Sequence, residues 1–217
     1  MRIGGIILCG GKSERMGYPK ALLPFGDEVL LQRVVRLLSE VVSPLVIVAA
    51  ADQALPPCPG VAAVVRDERP ERGPLEGLCA GLKAMLPFAD AAYVTSVDVP
   101  LLAPAFVRQM IEELGAAEIA VPFEPRDGKT LFHPLAGVYR TSVLPEIEKL
   151  LAADRLRISL LFEQVRCQRV PVEKLRTSDP RLDSLRNINF RDEYAAVLHE
   201  AGLALPTLPP LAARDPS

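Results

Sequence analysis

A glycine-rich loop near the amino terminus carries the residue types in this chain best suited to hold a polyanion. It reads L-C-G-G-K-S-E-R-M-G-Y-P-K over residues 8–20, directly after a short apolar run. Gly10 and Gly11 lack a Cβ, so the backbone can approach a base or a phosphate closely. Arg15 and Lys20 add two cations that suit phosphate oxygens. The pattern predicts a loop that binds a nucleoside triphosphate; the simpler alternative is a plain turn with two solvated charges.

Part of this loop imitates a P-loop, but the full motif is absent. A P-loop reads G-x-x-x-x-G-K-[ST], and counting back from Gly11-Lys12-Ser13 places its first glycine at Ile6. A β-branched residue belongs in a strand and cannot let the backbone curl round a phosphate. The dinucleotide fingerprint G-x-G-x-x-G fails as well, because Gly10 and Gly11 are adjacent. We therefore expect a nucleotide loop of another kind.

Asp98 is the candidate metal ligand. It follows the apolar run at residues 92–97 and precedes Pro100. Magnesium prefers one or two carboxylates together with phosphate oxygens and water, so one acid beside a bound triphosphate suffices. The alternative is that Asp98 only caps a helix or forms a turn before Pro100.

The expected reaction is attack by a substrate phosphate on the α-phosphorus of the nucleotide, with pyrophosphate leaving. Such a displacement depends on positioning and charge neutralisation, which Mg²⁺, Lys20 and Arg15 can supply without a covalent nucleophile. Cys9 lies between the apolar run and the glycines. We interpret it as a small packed thiol rather than a nucleophile.

Alternating strand and helix patterns precede and follow these residues. Apolar runs predict strands, and 3.6-residue periodicity predicts helices between them. The predicted strands are 3–8, 44–50, 61–65 and 92–97, and the predicted helices are 29–42, 75–86 and 104–114. Continuous apolar strands between helices predict an α/β sandwich of three layers, with a mostly parallel, mixed central sheet and helices on both faces. Ligands of such folds gather beyond the carboxyl ends of the strands.

The second half of the chain is less regular. We predict strands at 118–123, 135–139 and 165–172, and helices at 143–152 and 192–201. One domain is expected over residues 1–204. The proline-rich tail at 205–217 is expected to lack fixed structure.

The composition favours small-molecule partners. The 217 residues are 49% hydrophobic, carry a formal net charge of −2 and contain no long basic block, so a nucleic-acid partner is not expected. The apolar stretches fall short of a membrane span, and the amino terminus lacks a signal-peptide pattern, so we expect a cytoplasmic protein. Four scattered cysteines and two histidines make a zinc site improbable.

The loop resembles the signature of nucleotidyltransferases with a Rossmann-like fold, and in particular that of the molybdenum cofactor guanylyltransferases. Its Gly10 matches their L-A-G-G pattern, where cytidylyl-transferring relatives more often carry L-A-A-G. Other matches occur in family order as far as about Gly202. They are V-R-D ending at Asp67, G-P-L-E-G-L at 73–78, S-V-D-V-P at 96–100, H-P-L at 133–135 and N-I-N at 187–189.

The resemblance implies transfer of GMP from GTP to the phosphate of molybdopterin, with Mg²⁺ as cofactor, in an amino-terminal nucleotide-binding half and a carboxyl-terminal acceptor-binding half. Molybdoenzymes or other cofactor-biosynthesis proteins are conceivable partners. Catalytic residues would be Arg15, Lys20 and Asp98. The implied nucleotide-binding residues are Leu8, Cys9, Gly10, Gly11, Lys20, Asp67, Gly73, Gly77 and Asp98. The implied acceptor-binding residues are His133, Asn187 and Asn189.

Two positions depart from the family pattern. Several relatives have Asp before the loop lysine and Asn at the end of the second strand, where this chain has Pro19 and Ala49 or Ala50. The second departure leaves the choice of base open. Transfer of CMP or another nucleotide, to molybdopterin or to a sugar or polyol phosphate, therefore remains an alternative, as does a non-catalytic nucleotide-binding accessory protein.

Overall fold

An eight-stranded sheet organises the chain. The computed structural model describes residues 1–10, 15–67, 69 and 72–208. The sheet order is β10-β7-β9-β6-β1-β4-β5, with β8 paired to β7, while β2 and β3 form a separate hairpin. The strands are β1 Ile3–Leu8, β2 Pro24–Phe25, β3 Glu28–Val29, β4 Leu45–Ala50, β5 Ala63–Asp67, β6 Ala91–Ser96, β7 Ile119–Arg126, β8 Lys129–Phe132, β9 Gly137–Arg140 and β10 Cys167–Pro171.

Four neighbouring strands are parallel and end at the same edge of the sheet. β1 lies between β6 and β4, and β5 pairs with β4. The register sets Leu8 opposite Ser96 and Ala50 opposite Asp67, which are the last residues of these strands. The antiparallel pairs are those of β9 with β6 and β7, and of β8 with β7. The polar residues that follow β1, β5 and β6 are therefore brought together.

Helices cover both faces of the sheet. They are α1 Leu30–Ser39, α2 Pro74–Met85, α3 Pro104–Leu114, α4 Leu144–Ala152, α5 Val172–Leu175 and α6 Arg191–Glu200. Side chains alternate along a strand, so Ile7 packs with the core under α1, α3 and α6, whereas Ile6 packs with the core under α2 and α4. The predicted three-layer, Rossmann-like fold with a mostly parallel sheet is confirmed.

Several predicted elements differ from the observed ones in their bounds. α1 ends at Ser39 rather than at 42, because the residues after it form a tightened final turn in which Val41 N–H and Val42 N–H both donate to Leu38 O. The strand predicted at 135–139 is β9, at 137–140, because Pro134–Ala136 forms a 3₁₀ turn. The tail at 209–217 lies outside the described residues.

The sequence analysis missed the short and polar strands. β2 and β3 contain two residues each, too few to show alternation. β8 begins with exposed Lys129 and Thr130 at the end of a hairpin, so no apolar run marks it. Of the helices in the described part of the chain, none has the length and apolar character that crossing a membrane requires.

Candidate active site

A cavity of about 220 Å³ opens at the carboxyl edge of the parallel strands. Its wall contains the end of β1, the end of β4, the start of α2 and the segment after β6. The lining residues are Leu8, Gly10, Val48, Ala49, Asp67, Gly73, Pro74, Gly77, Ser96, Asp98, Leu135 and Asn187. Seven of the residues that sequence analysis singled out, from Leu8 to Asn187, therefore border one space.

Lys20 and Asp98 form an ion pair at this edge. Lys20 Nζ lies 2.7 Å from Asp98 Oδ2, and the side chains are only 17% and 13% exposed. Lys20 Nζ also donates to Asn189 Oδ1 at 3.0 Å. The structure thus joins a loop cation and a strand-end acid that lie 78 residues apart in the sequence.

The other oxygen of Asp98 has neutral partners. Asp98 Oδ1 accepts hydrogen bonds from Ser96 Oγ at 2.5 Å and from Asn187 Nδ2 at 2.8 Å. The backbone is fixed as well, because Val97 N–H donates to Leu8 O and Ile188 N–H donates to Asp98 O. These two donors set the orientation of the carboxylate.

The segment with the two asparagines is held by the helix that follows it. Glu193, in the first turn of α6, accepts hydrogen bonds at Oε2 from the backbone N–H groups of Asn189, at 2.6 Å, and Phe190, at 3.1 Å. A Glu at this position satisfies backbone donors at the start of a helix. The sequence analysis did not assign Glu193 to the site; its signal was a Glu three residues after the residue that caps the helix.

Arg15 lies on the other side of that segment. Its guanidinium carbon is 5.5 Å from the centre of the Phe190 ring, which is 44% exposed. Nearby, Arg191 Nε donates to Met16 O at 3.0 Å. The loop is thus connected to the start of α6 through both residues. Gly11, together with Lys12 and Ser13, lies outside the described residues.

Asp67 and two glycines form the opposite wall. Asp67 ends β5, is 8% exposed and accepts a hydrogen bond at Oδ1 from Arg69 N–H at 2.9 Å. Gly73 has a φ of 75°, a conformation that side chains disfavour, directly before α2. Gly77 lies in that helix, and a Cβ there would be 3.6 Å from Leu8 Cδ2. Its missing side chain leaves room beside β1.

Gln53 supplies a side-chain amide near the end of β4, where the sequence analysis noted Ala49 or Ala50 in place of the asparagine of several relatives. Its Nε2 donates to Cys9 O at 3.0 Å, and its Oε1 accepts from Ala50 N–H at 3.2 Å. Arg66 in turn donates to the backbone oxygens of Ala50 and Gln53. Sequence analysis missed Gln53 because it lies three residues beyond β4; the available signal was a carboxamide within one turn of a strand end.

Cys9 is a buried thiol. It is 3% exposed and packs in the core under α1, and its burial raises the pKa of the thiol well above the ordinary range. A thiol that stays protonated is a poor nucleophile. This environment supports the interpretation of Cys9 as a packing residue whose backbone, rather than its sulfur, borders the loop.

His133 borders a second cavity, of about 250 Å³. Its Nε2 lies 3.3 Å from Glu124 Oε1 without the geometry of a hydrogen bond, and burial lowers the pKa of the imidazole although Glu124 opposes that effect. The two cavities share Pro74, Leu135 and Asn187 in their walls. Asn187 thus lies between the two cavities, and His133 borders only the second one.

The donor set around Asp98 fits magnesium better than a transition metal. Within the described ranges, no group of three or more His, Cys, Asp or Glu side chains could hold a metal ion. A single carboxylate suits Mg²⁺ where phosphate oxygens and water can supply the remaining ligands. Asp98 meets that requirement.

The structure combines a Rossmann-like sheet with a lysine and carboxylate pair at the cavity beyond its parallel strands, an arrangement suited to an enzyme that acts on nucleotides. Its family follows from comparison of sequences. The chain belongs to the MobA-like NTP transferase domains, whose family model matches residues 5–167.

Curated relatives agree with this family. A protein of Carboxydothermus hydrogenoformans, named a probable molybdenum cofactor guanylyltransferase, is 34% identical over 196 residues, which cover 88% of this chain and 93% of that protein. A Mycobacterium avium protein of the same name is 34% identical over 91% of this chain and 95% of its own. The predicted resemblance to molybdenum cofactor guanylyltransferases is thereby confirmed.

Solved structures share the fold. Molybdopterin-guanine dinucleotide biosynthesis protein A of Archaeoglobus fulgidus has a TM-score of 0.72 at 22% identity, over 93% of this chain and 99% of that one. The 4-diphosphocytidyl-2C-methyl-D-erythritol synthase of Anaerococcus prevotii has a TM-score of 0.69 at 14% identity, over 93% and 96% of the two chains. At these identities the likeness concerns the fold alone.

Proposed function

We propose that this protein transfers GMP from GTP to the terminal phosphate of molybdenum-bearing molybdopterin, giving the guanine dinucleotide form of the cofactor and pyrophosphate. The observation that carries the chemistry is the Lys20 and Asp98 pair at the nucleotide cavity. The choice of GTP and molybdopterin is supported by relatives that bear the guanylyltransferase name at 34% identity over most of the chain.

In this proposal the cavity at the strand ends receives the nucleotide. Leu8, Cys9, Gly10, Gly11, Asp67, Gly73 and Gly77 contact the nucleoside or let the backbone approach it, and Lys20 and Arg15 hold phosphate oxygens. Asp98 holds Mg²⁺, which when bound neutralises charge on the phosphates. Lys20, which contacts Asp98, would stabilise the charge that develops on the leaving pyrophosphate.

The second cavity suits the acceptor. Its wall includes His133 and joins the nucleotide cavity at Asn187. An in-line displacement requires the acceptor phosphate to approach the α-phosphorus from the side opposite the leaving pyrophosphate. Asn187 and Asn189 then have two tasks, since each can contact the acceptor while it orients Asp98 or Lys20.

Each of the four nucleoside triphosphates, incubated with purified protein, Mg²⁺ and molybdenum-loaded molybdopterin, tests the proposal. Chromatography should show a dinucleotide cofactor with GTP and one equivalent of pyrophosphate. Dinucleotide from CTP and not from GTP would replace the guanylyl assignment by the cytidylyl one. Nucleotide binding without any pyrophosphate, with every phosphorylated acceptor offered, would indicate an accessory protein instead.

Asp98→Asn tests the chemistry, because it keeps the size of the side chain and removes its charge. We expect turnover to fall by about a hundredfold or more, as for loss of a group that stabilises transition-state charge. GTP affinity, measured without metal, should stay within a few fold. Unchanged turnover would remove Asp98 from the mechanism.

A further inference from the structure

The two oxygens of Asp98 have different partners. Oδ1 accepts two hydrogen bonds, from Ser96 Oγ and Asn187 Nδ2, and so has its acceptor positions filled. Oδ2 contacts the ammonium of Lys20 at 2.7 Å. A carboxylate oxygen has about two acceptor positions. A metal ion that approaches Asp98 therefore meets the oxygen that already has a cation beside it.

Lys20 and a divalent cation would repel each other if both contacted this oxygen. An ion bound to Oδ2 and an ammonium hydrogen-bonded to the same atom would lie within a few ångströms of each other, where like charges repel strongly in a partly dry site. Both side chains are less than one fifth exposed, so water screens them little. Repulsion between the two cations therefore favours displacement of Lys20 when a metal binds.

The neighbouring amide offers Lys20 a second anchor. Asn189 Oδ1 accepts from Lys20 Nζ at 3.0 Å and carries no net charge, so it guides the ammonium without competing for it. Asn189 is itself fixed through its backbone by Glu193. Lys20 can thus leave Asp98 and swing about Asn189 toward the phosphates of a bound nucleotide.

We propose that Lys20 is a counter-cation that occupies Oδ2 of Asp98 until a metal ion binds together with the nucleotide. In this exchange the metal replaces the Lys20 ammonium at Oδ2, and the ammonium then binds the phosphates of the nucleotide. The inference rests on the proposed metal role of Asp98. Its consequence is that the protein alone binds divalent cations poorly, because Lys20 protects the carboxylate. Metal binding becomes dependent on the nucleotide, whose phosphates offer the displaced ammonium a new partner.

Titration of the nucleotide-free protein with Mn²⁺ tests the exchange, with free Mn²⁺ measured by electron paramagnetic resonance. Lys20→Met should bind Mn²⁺ about tenfold more tightly than the parent, since it removes the competing charge and keeps much of the side-chain volume. Lys20→Met combined with Asp98→Asn should lose that gain. Lys83→Met, which removes a surface lysine paired with Glu148, is the matched control and should leave Mn²⁺ affinity unchanged.

Equal Mn²⁺ affinity of the parent and Lys20→Met would overturn the exchange, and so would a gain that survives in the double variant. Thermal unfolding verifies that each variant is folded, and Lys20→Gln provides a second variant with the same expectation. The outcome is separate from that of the proposed function. GMP transfer by the parent with no Mn²⁺ gain in Lys20→Met defeats only the exchange, whereas a Mn²⁺ gain without any GMP transfer defeats only the assigned reaction.

Discussion

Asn187 donates its side-chain amide to Oδ1 of Asp98 across 2.8 Å, although 89 residues separate the two in the chain. The same amide group lies 3.3 Å from Ser96 Oγ, which donates to that oxygen as well. Asp98 is therefore oriented from both the strand before it and the segment before α6. The relationship makes Asn187 a positioning residue for the proposed metal ligand.

Asn187→Ala should lower kcat more than it raises the KM for GTP. A hydrogen bond to a charged group contributes about 1.5–3 kcal/mol, so a loss of roughly tenfold to hundredfold in kcat is expected if Asp98 is misoriented in the transition state. Asn187→Asp should be worse, because it places a second negative charge beside Asp98. Steady-state kinetics of both variants provide the check. A pure KM effect for the acceptor would instead indicate that Asn187 only binds the acceptor.

Gln53→Leu should weaken nucleotide binding. The substitution leaves Cys9 O and Ala50 N–H without their side-chain partners at the cavity wall, and each lost hydrogen bond costs about 1 kcal/mol. We expect the KM for GTP to rise about tenfold with kcat nearly retained. Gln53→Glu is a sharper probe, since a carboxylate can still accept from Ala50 but cannot donate to Cys9. If both variants match the parent, Gln53 does not shape the cavity.

Two glycines of α2 should respond differently to alanine. A Cβ at Gly81 would lie 2.6 Å from Ile6 Cγ2 in the core, so Gly81→Ala should destabilise the fold by about 1–3 kcal/mol. A Cβ at Gly77 meets Leu8 and Val48 at ordinary contact distances, 3.6 Å and longer. Gly77→Ala should therefore unfold no earlier than the parent, yet its methyl enters the cavity wall and should raise the KM for GTP several fold. Urea unfolding and kinetics separate the two effects, and the reverse assignment would contradict the described wall.

His133 should make stability depend on pH. Burial lowers the pKa of its imidazole below 6.5, so the folded state binds this proton less readily than the unfolded state. Stability rises with pH wherever the unfolded state binds more protons than the folded state. The stabilisation that His133 contributes should therefore be present above about pH 6.5 and decrease as the pH falls toward the lower pKa of the folded state. The urea midpoint should fall between pH 7.5 and pH 5, roughly the range in which a histidine titrates, and it should fall less in His133→Gln than in the parent.

The matched control for this measurement is His199→Gln, because His199 is exposed on α6. It should follow the parent from neutral to acidic pH. Parallel profiles of the parent and His133→Gln would show that burial of His133 does not govern the acid response.

The fold was largely predictable because it rests on local patterns. Strand-length apolar runs such as residues 3–8 can only be buried in a sheet covered on both faces, and the helix periodicity between them sets the right order of elements. The strands that the sequence analysis did not predict are short or polar. β8 and the β2 and β3 hairpin have no periodic signal, since strands of two to four residues are too short to show alternation.

The candidate site was predictable in its residues and not in its contacts. Gly10, Lys20, Asp98 and Asn187 stand out by type and by position after strands or in motifs, and the structure brings them to one edge of the sheet. Gln53 and Glu193 were missed because each acts through the backbone of a neighbour, and a carboxamide just beyond a strand or a Glu in the first turn of a helix is too common to mark a site.

The sequence alone therefore determined the class of fold, the family and the residue types at the strand ends, since burial and backbone freedom are encoded locally. Only the tertiary structure decided which atoms meet. It showed that Lys20 occupies one oxygen of Asp98 while Ser96 and Asn187 occupy the other, because the parallel register brings the ends of β1 and β6 together and α6 holds the asparagines against them. Packing of the whole chain decides which residues far apart in the sequence come into contact.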